Sequence, residues 1–205
     1  ELLEIGHDFQ AAVEAAAAVA AERGWHFVPA FHAAIVCGVG TYALELLRAV
    51  PDLDTVYVPI GLGSGICGMI AARDALGLRT RVIGVVSDAA PAYALSFAAG
   101  HPISHDVTTR IADGMACRTP VPEALAMIRR GADHIVRVSD AEVEDAMRIL
   151  FTDTHNVAEG AGAAALAALI KERDAMSGRR VAVVLSGGNV DRDVFTRVLS
   201  GSPPA

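Results

Sequence analysis

The sequence predicts an α/β fold, a mostly parallel sheet with helices on both faces. Three observations predict it. β-Branched apolar runs alternate with helical patterns from one end of the chain to the other. Each run is continuously apolar, so both faces of the strand are to be buried. Two glycine-rich turns, Gly61–Gly65 and Ser186–Asn189, each follow such a run. In parallel sheets ligands bind outside the carboxyl ends of the strands.

The elements follow in order. Asp8–Glu22 is an alanine-rich helix ended by Gly24. Thr41–Val50 is a short helix stopped by Pro51, since proline cannot continue it. Thr55–Ile60 is a buried strand, and the helix Ile66–Leu76 follows its glycine-rich turn. Thr80–Val86 is the next strand and Pro91–Ala99 a helix. Residues 100–121 carry Gly100, Pro102, Gly114 and Pro120 without a clean period, and are expected to be irregular. Helix Glu123–Arg130 leads to strand His134–Val138. Ser139 then caps a helix through about Thr152, with Glu142 at the capping-box position. Glu159–Lys171 is helical, Arg180–Leu185 a strand, and a last helix starts at Asp191. There is no internal repeat and no linker composition, so residues 1–205 are expected to form a single domain.

Composition narrows the function classes. The chain is 53% hydrophobic and 20% charged, enough to bury a large core. Its net charge of −7 comes from interspersed acids and bases, without a basic stripe, which argues against nucleic acid. The apolar runs Ala15–Ala21 and Ala161–Ala168 are too short to span a bilayer, so no membrane is expected. Cys37, Cys67 and Cys117 are odd in number and widely spaced, which fits a reducing cytoplasm. Among 17 basic side chains only Lys171 is a lysine, and it stands at the polar end of an apolar helix.

Gly61-Leu62-Gly63-Ser64-Gly65 lies between a strand and a helix. Glycines let the backbone turn tightly against a ligand, and the free amides and dipole of the helix start attract an anion. A phosphate is the natural guest. The overlapping Gly63-Ser64-Gly65-Ile66-Cys67-Gly68 also fits a dinucleotide pattern, for which Asp88 would hold a ribose. At the other turn, Ser186 leaves the last strand and is followed by Gly187-Gly188. No histidine of the chain sits in a motif that would make Ser186 a nucleophile. A neutral hydroxyl aimed at a ring nitrogen accounts for the glycines better.

Taken together these segments resemble the fold-type II pyridoxal-phosphate enzymes, in particular the threonine/serine dehydratase branch, from about Ile5 to Asp191. Gly38-Val39-Gly40-Thr41 before Glu45 resembles the family's glycine–threonine turn ahead of a helix. Gly61–Gly65 resembles its phosphate loop, although Leu62 and Ser64 interrupt the usual glycine run. Ile111-Ala112-Asp113-Gly114 resembles the loop passing near the cofactor, and Ala158-Glu159-Gly160 a helix start facing the site. Leu185-Ser186-Gly187-Gly188-Asn189 resembles the segment whose serine meets the pyridine nitrogen. Five motifs in order displace the dinucleotide reading, which explains neither Ser186 nor the Asp113-Gly114 loop.

The resemblance implies the large domain of the fold-type II fold, with pyridoxal 5'-phosphate held by Gly61, Leu62, Gly63, Ser64, Gly65, Gly114, Glu159, Ser186 and Gly187. It implies an ammonia-lyase that eliminates water from a small 3-hydroxy amino acid to give a 2-keto acid and ammonia. A homodimer is implied as the partner, with no interface legible in the sequence. The family's Schiff-base lysine matches nothing here, so no catalytic residue is assigned. The chain is expected to be a piece whose lysine segment and small domain lie upstream, and to be inactive alone. The acidic positions at which some relatives bind a cation fall on Val86 and Ala92, so no metal site is expected. Two other readings stay open: a racemase or another 3-hydroxy amino acid lyase of the same family, and a catalytically silent domain binding pyridoxal phosphate or a nucleotide.

Overall fold

The strand β1 (Thr55–Pro59) is the pivot of the sheet. It pairs in parallel with β2 (Arg81–Ser87) on one side and with β4 (Val181–Val183) on the other. β3 (Ile135–Val138) extends the sheet beyond β2, giving the parallel order β3-β2-β1-β4. The chain therefore winds outward from β1 through β2 to β3, then returns to the far side of β1. Strand order reverses between β1 and β4, and a crevice opens at such a reversal. The computed structural model describes residues 2–6 and 9–201.

Alternation along the strands sorts the core into two layers. Tyr57, Ile83, Val85, Val136 and Val138 face one layer, built with α6 (Asp140–Thr154), α7 (Gly160–Lys171) and α8 (Arg192–Ser200). Val56, Val58, Val82 and Val86 face the other, built with α2 (Ala33–Ala49), α3 (Ser64–Ala75), α4 (Ala92–Ala99) and α5 (Pro122–Gly131). Helices thus cover both faces, as the continuous apolar runs predict. The helix α7 is buried along most of its length, from Gly160 through Ala168 except Leu166. Its alanines let it lie close against the sheet.

Most elements match their predicted bounds within two residues. The first helix, α1, runs Phe9–Arg23; its predicted start, Asp8, lies outside the described residues. Ser139 caps α6 with the full capping box, its hydroxyl accepting from the Glu142 N–H while the Glu142 carboxylate accepts from the Ser139 N–H. Residues 100–121 are irregular apart from a 3-10 turn at Asp113–Met115. The last strand is shorter than predicted, because Val184 bonds to Tyr57 but the chain beyond it leaves the sheet.

One expectation is corrected. Gly38-Val39-Gly40-Thr41 is not a turn ahead of a helix; it lies inside α2, which begins at Ala33 with His32 as N-cap. The His32 ring accepts from the Ala34 N–H at 3.1 Å. The glycine there serves packing between helices. A Cβ added to Gly68 of α3 would stand 3.0 Å from the Cα of Gly40, so two bare backbones face each other where α2 meets α3.

Candidate functional site

The crevice at the strand-order reversal is a cavity of about 440 Å³, within the usual range for small-molecule sites. Its wall includes Gly61–Gly65 after β1, Asp113–Cys117 of the irregular segment, Ala161 of α7, and Ser186 after β4. Seven of the nine predicted site residues line it: Gly61, Leu62, Gly63, Ser64, Gly65, Gly114 and Ser186. The other two, Glu159 and Gly187, stand directly behind that wall.

The glycine-rich turn is shaped by its neighbours. Gly63 is the N-cap of α3 with φ of 98°, a left-handed conformation that side chains rarely adopt. A Cβ on Gly61 would come within 2.5 Å of the Gly114 carbonyl oxygen, so the glycine-rich turn and the Ile111–Gly114 loop touch through bare backbone. The first bond within α3 runs from the Cys67 N–H to the Gly63 carbonyl at 3.0 Å. The amides of Ser64, Gly65 and Ile66 therefore precede the helical ladder and are free to bind an anion.

Glu159 caps the start of α7 and organises the opposite wall. Its backbone N–H donates to the Gly187 carbonyl at 3.1 Å. Its carboxylate accepts from the Asn189 N–H at 3.1 Å. A Cβ on Gly187 would stand 2.6 Å from the Glu159 Oε1, so the turn has room for this carboxylate only because Gly187 lacks a side chain. Ser186 is exposed, and among the described residues its hydroxyl has no hydrogen-bond partner. It is free to meet a ligand.

Other titratable groups are accounted for. Cys117 lines the cavity, but burial pushes its thiol up to about 11, so it stays protonated and is no nucleophile at neutral pH. Asp88, the ribose-holding candidate of the dinucleotide pattern, pairs instead with Arg137 at 2.8 Å. Lys171 donates to the Arg137 carbonyl at 3.0 Å and pairs with Glu142 at 3.1 Å. It ends the helix that Gly160 begins, about 16 Å from that start by the helical rise. Among the described residues no group of three or more His, Cys, Asp or Glu side chains could hold a metal ion. No helix among them is long and apolar enough to cross a membrane.

Sequence reasoning missed two residues behind the glycine turn. The Tyr93 hydroxyl donates to the Leu62 carbonyl at 2.7 Å, and the Tyr42 hydroxyl to the Gly65 carbonyl at 3.1 Å. Neither belongs to a motif, and nothing in the local sequence marks either residue.

The pieces amount to an anion cradle facing a flat slot bounded by backbone and one free hydroxyl. This fits a phosphorylated aromatic ring with a heterocyclic nitrogen. A family model described as pyridoxal-phosphate dependent enzyme matches residues 1–187. An L-threonine ammonia-lyase of Thermotoga maritima is 33% identical over 196 residues, covering 95% of this chain and 49% of that protein. The processed threonine deaminase isoform 2 of Solanum lycopersicum superposes with a TM-score of 0.88 at 26% identity, covering 97% of this chain and 56% of that one. A serine racemase from maize superposes at 0.86 and 26% identity, covering 98% of this chain and 63% of that one. The chain spans about half the length of the curated relatives it matches.

Proposed function

The chain belongs to the pyridoxal-phosphate-dependent enzyme family, and from that premise we propose that the protein carrying it is an ammonia-lyase of the threonine dehydratase type. It removes water from a 3-hydroxy amino acid and releases a 2-keto acid and ammonia. The observation that carries the reading is the pairing of an anion cradle after β1 with a free serine hydroxyl after β4, at the reversal of strand order between β1 and β4. Its similarity to threonine ammonia-lyases and threonine deaminases supports the choice of reaction.

In this reading residues 1–205 are one domain and supply the cofactor-holding part of the site. The amides of Gly63, Ser64, Gly65 and Ile66 hold the phosphate, with the α3 dipole favouring its charge. Gly61, Leu62 and Gly114 close the slot, while Glu159 and Gly187 set the position of Ser186. When bound, the cofactor supplies an electron sink beside the substrate's α-carbon. Ser186 keeps the ring nitrogen in place through a neutral hydrogen bond. A hydroxyl is a weak acid and offers no counter-charge, unlike a carboxylate. Such a neutral partner would suit loss of the β-hydroxyl better than transamination. Lys171, engaged with the Arg137 carbonyl and Glu142 at the far end of α7, is not placed to reach the cofactor.

The test uses the full-length protein, loaded with pyridoxal phosphate. L-Threonine, L-serine and L-threo-3-hydroxyaspartate are supplied in turn, with 2-keto acid, ammonia and the Cα epimer of each substrate measured. Stoichiometric 2-keto acid and ammonia from at least one of them is expected. The maize serine racemase favours a second reading; inversion at Cα without ammonia would establish it and overturn the first.

A further inference from the structure

Tyr93 is 1% exposed and stands in α4, behind the glycine turn and outside the cavity wall. Its hydroxyl makes two bonds. It donates to the Leu62 carbonyl at 2.7 Å and accepts from the Val121 N–H at 3.1 Å. Val121 is the N-cap of α5, where the irregular segment that also lines the cavity re-enters regular structure. One phenol thus joins the phosphate cradle to that segment. In a trans peptide the carbonyl and the next N–H point to opposite sides. Holding the Leu62 carbonyl toward Tyr93 therefore turns the Gly63 N–H away from it. Tyr42 repeats the device one turn on: it holds the Gly65 carbonyl at 3.1 Å and sets the Ile66 N–H. Burial pushes both phenols well above the ordinary tyrosine range, so both keep the proton they donate. Space behind the turn is tight, since a Cβ on Gly63 would lie 3.3 Å from the Tyr93 hydroxyl and 2.9 Å from the Ala124 Cβ. The loop cannot settle back to make up for a lost hydroxyl.

We propose that Tyr93 is a positioning residue that aims the backbone amides of Gly61–Gly65 at the cofactor's phosphate. It touches neither cofactor nor substrate. The role rests on the cofactor reading given above, and it separates from a purely structural role by a simple contrast. A misaimed cradle weakens ligands that carry a phosphate and spares those that do not.

The experiment titrates pyridoxal phosphate and phosphate-free pyridoxal into the cofactor-stripped full-length protein, followed by absorbance and protein fluorescence. Tyr93→Phe keeps the ring and removes both bonds. It should weaken pyridoxal phosphate about tenfold, the worth of one buried hydrogen bond, with pyridoxal changed less than about twofold on the same scale. Ser96→Ala is the control. Ser96 lies on the same helix and accepts from the Ile103 N–H at 2.8 Å, remote from the cradle. It should lower the melting temperature and leave the ratio of the two affinities unchanged. A Tyr93→Phe protein with the wild-type ratio overturns the inference while the cofactor reading stands. A wild-type protein that does not prefer pyridoxal phosphate to pyridoxal overturns both.

Discussion

The Glu159 carboxylate accepts a hydrogen bond from the Asn189 N–H at 3.1 Å, tying the first turn of α7 to the loop that leaves β4. The same residue's N–H holds the Gly187 carbonyl at 3.1 Å. Ser186 sits between a strand end and this double anchor. Glu159→Ala removes the carboxylate anchor and leaves the backbone one. A hydrogen bond to a charged group contributes about 1.5–3 kcal/mol when buried, and less at this half-exposed position. The variant should lose about 1 kcal/mol of stability in a denaturant melt and bind pyridoxal phosphate more weakly. Unchanged binding would mean that the turn holds its shape without Glu159.

Ser186 separates stability from function. Its hydroxyl is exposed and has no partner among the described residues. Ser186→Ala should leave the melt within about 0.5 kcal/mol of wild type, as for other surface substitutions, while activity of the loaded full-length enzyme falls. Ser186→Asp puts a counter-charge at the ring nitrogen and should move the outcome from ammonia release toward transamination, in which the substrate keeps its β-hydroxyl and its nitrogen stays with the cofactor. An unaltered product profile in Ser186→Asp would remove the argument that a neutral partner directs elimination.

Gly63 has φ of 98°, and a Cβ there would meet the Ala124 Cβ at 2.9 Å. Gly63→Ala should cost about 1–3 kcal/mol from backbone strain alone, with loss of phosphate-dependent cofactor binding. Gly77 has φ of 65° with nothing near its Cβ, so Gly77→Ala is the matched control for strain without contact. If both variants bind pyridoxal phosphate equally well, the cradle does not depend on the shape of Gly63.

The pH dependence has its own centre, at the amino ends of the strands. The His134 ring meets Asp133 through Nδ1 at 2.8 Å and Glu172 through Nε2 at 2.9 Å. Glu172 also accepts from the Tyr57 hydroxyl at 2.7 Å, and Asp133 from Arg81 at 2.8 Å. Both ring nitrogens can donate only when the imidazole is charged. Burial opposes that charge, the two carboxylates outweigh it, and the histidine pKa is raised. A raised pKa means the added stability is fully present below the ordinary histidine value of about 6.5 and is lost as pH rises through the folded value. The melting temperature of wild type should therefore fall from pH 6 toward pH 8 relative to His134→Gln, which lacks the titration. Asp133 acts at the other end of the scale. The Arg81 bond lowers its pKa to about 2, so its contribution holds above the ordinary aspartate value and disappears as pH falls toward 2. Parallel melting curves for the two proteins between pH 6 and pH 8 would discard the histidine bridge.

Much of the site was legible because its parts are local. A strand, a glycine run and a helix start are adjacent in the chain, so Gly61–Gly65 announces a tight turn with free amides at a helix start without any tertiary knowledge. Ser186 is legible for the same reason. Gly38–Thr41 was misread because glycine has two uses that look alike in one dimension: it permits an unusual backbone angle, and it permits close approach. Only the presence of Gly68 on the facing helix selects the second. Tyr93 and Tyr42 escaped notice because a tyrosine in an apolar helix reads as core filling, and the carbonyls they hold lie 31 and 23 residues away in sequence.

The sequence by itself determined the fold class, the order of elements and the two glycine-rich turns that follow strands. Hydrophobic periodicity and glycine placement are properties of neighbouring residues, and they act before the chain is packed. Tertiary structure decided which strands flank β1, and hence that the two turns share one crevice. It also decided which buried groups hold the turns in shape: Glu159 behind Ser186, and the phenols behind the cradle. Those relations pair residues far apart in the chain, where burial leaves each backbone carbonyl and amide with a partner that only packing can supply.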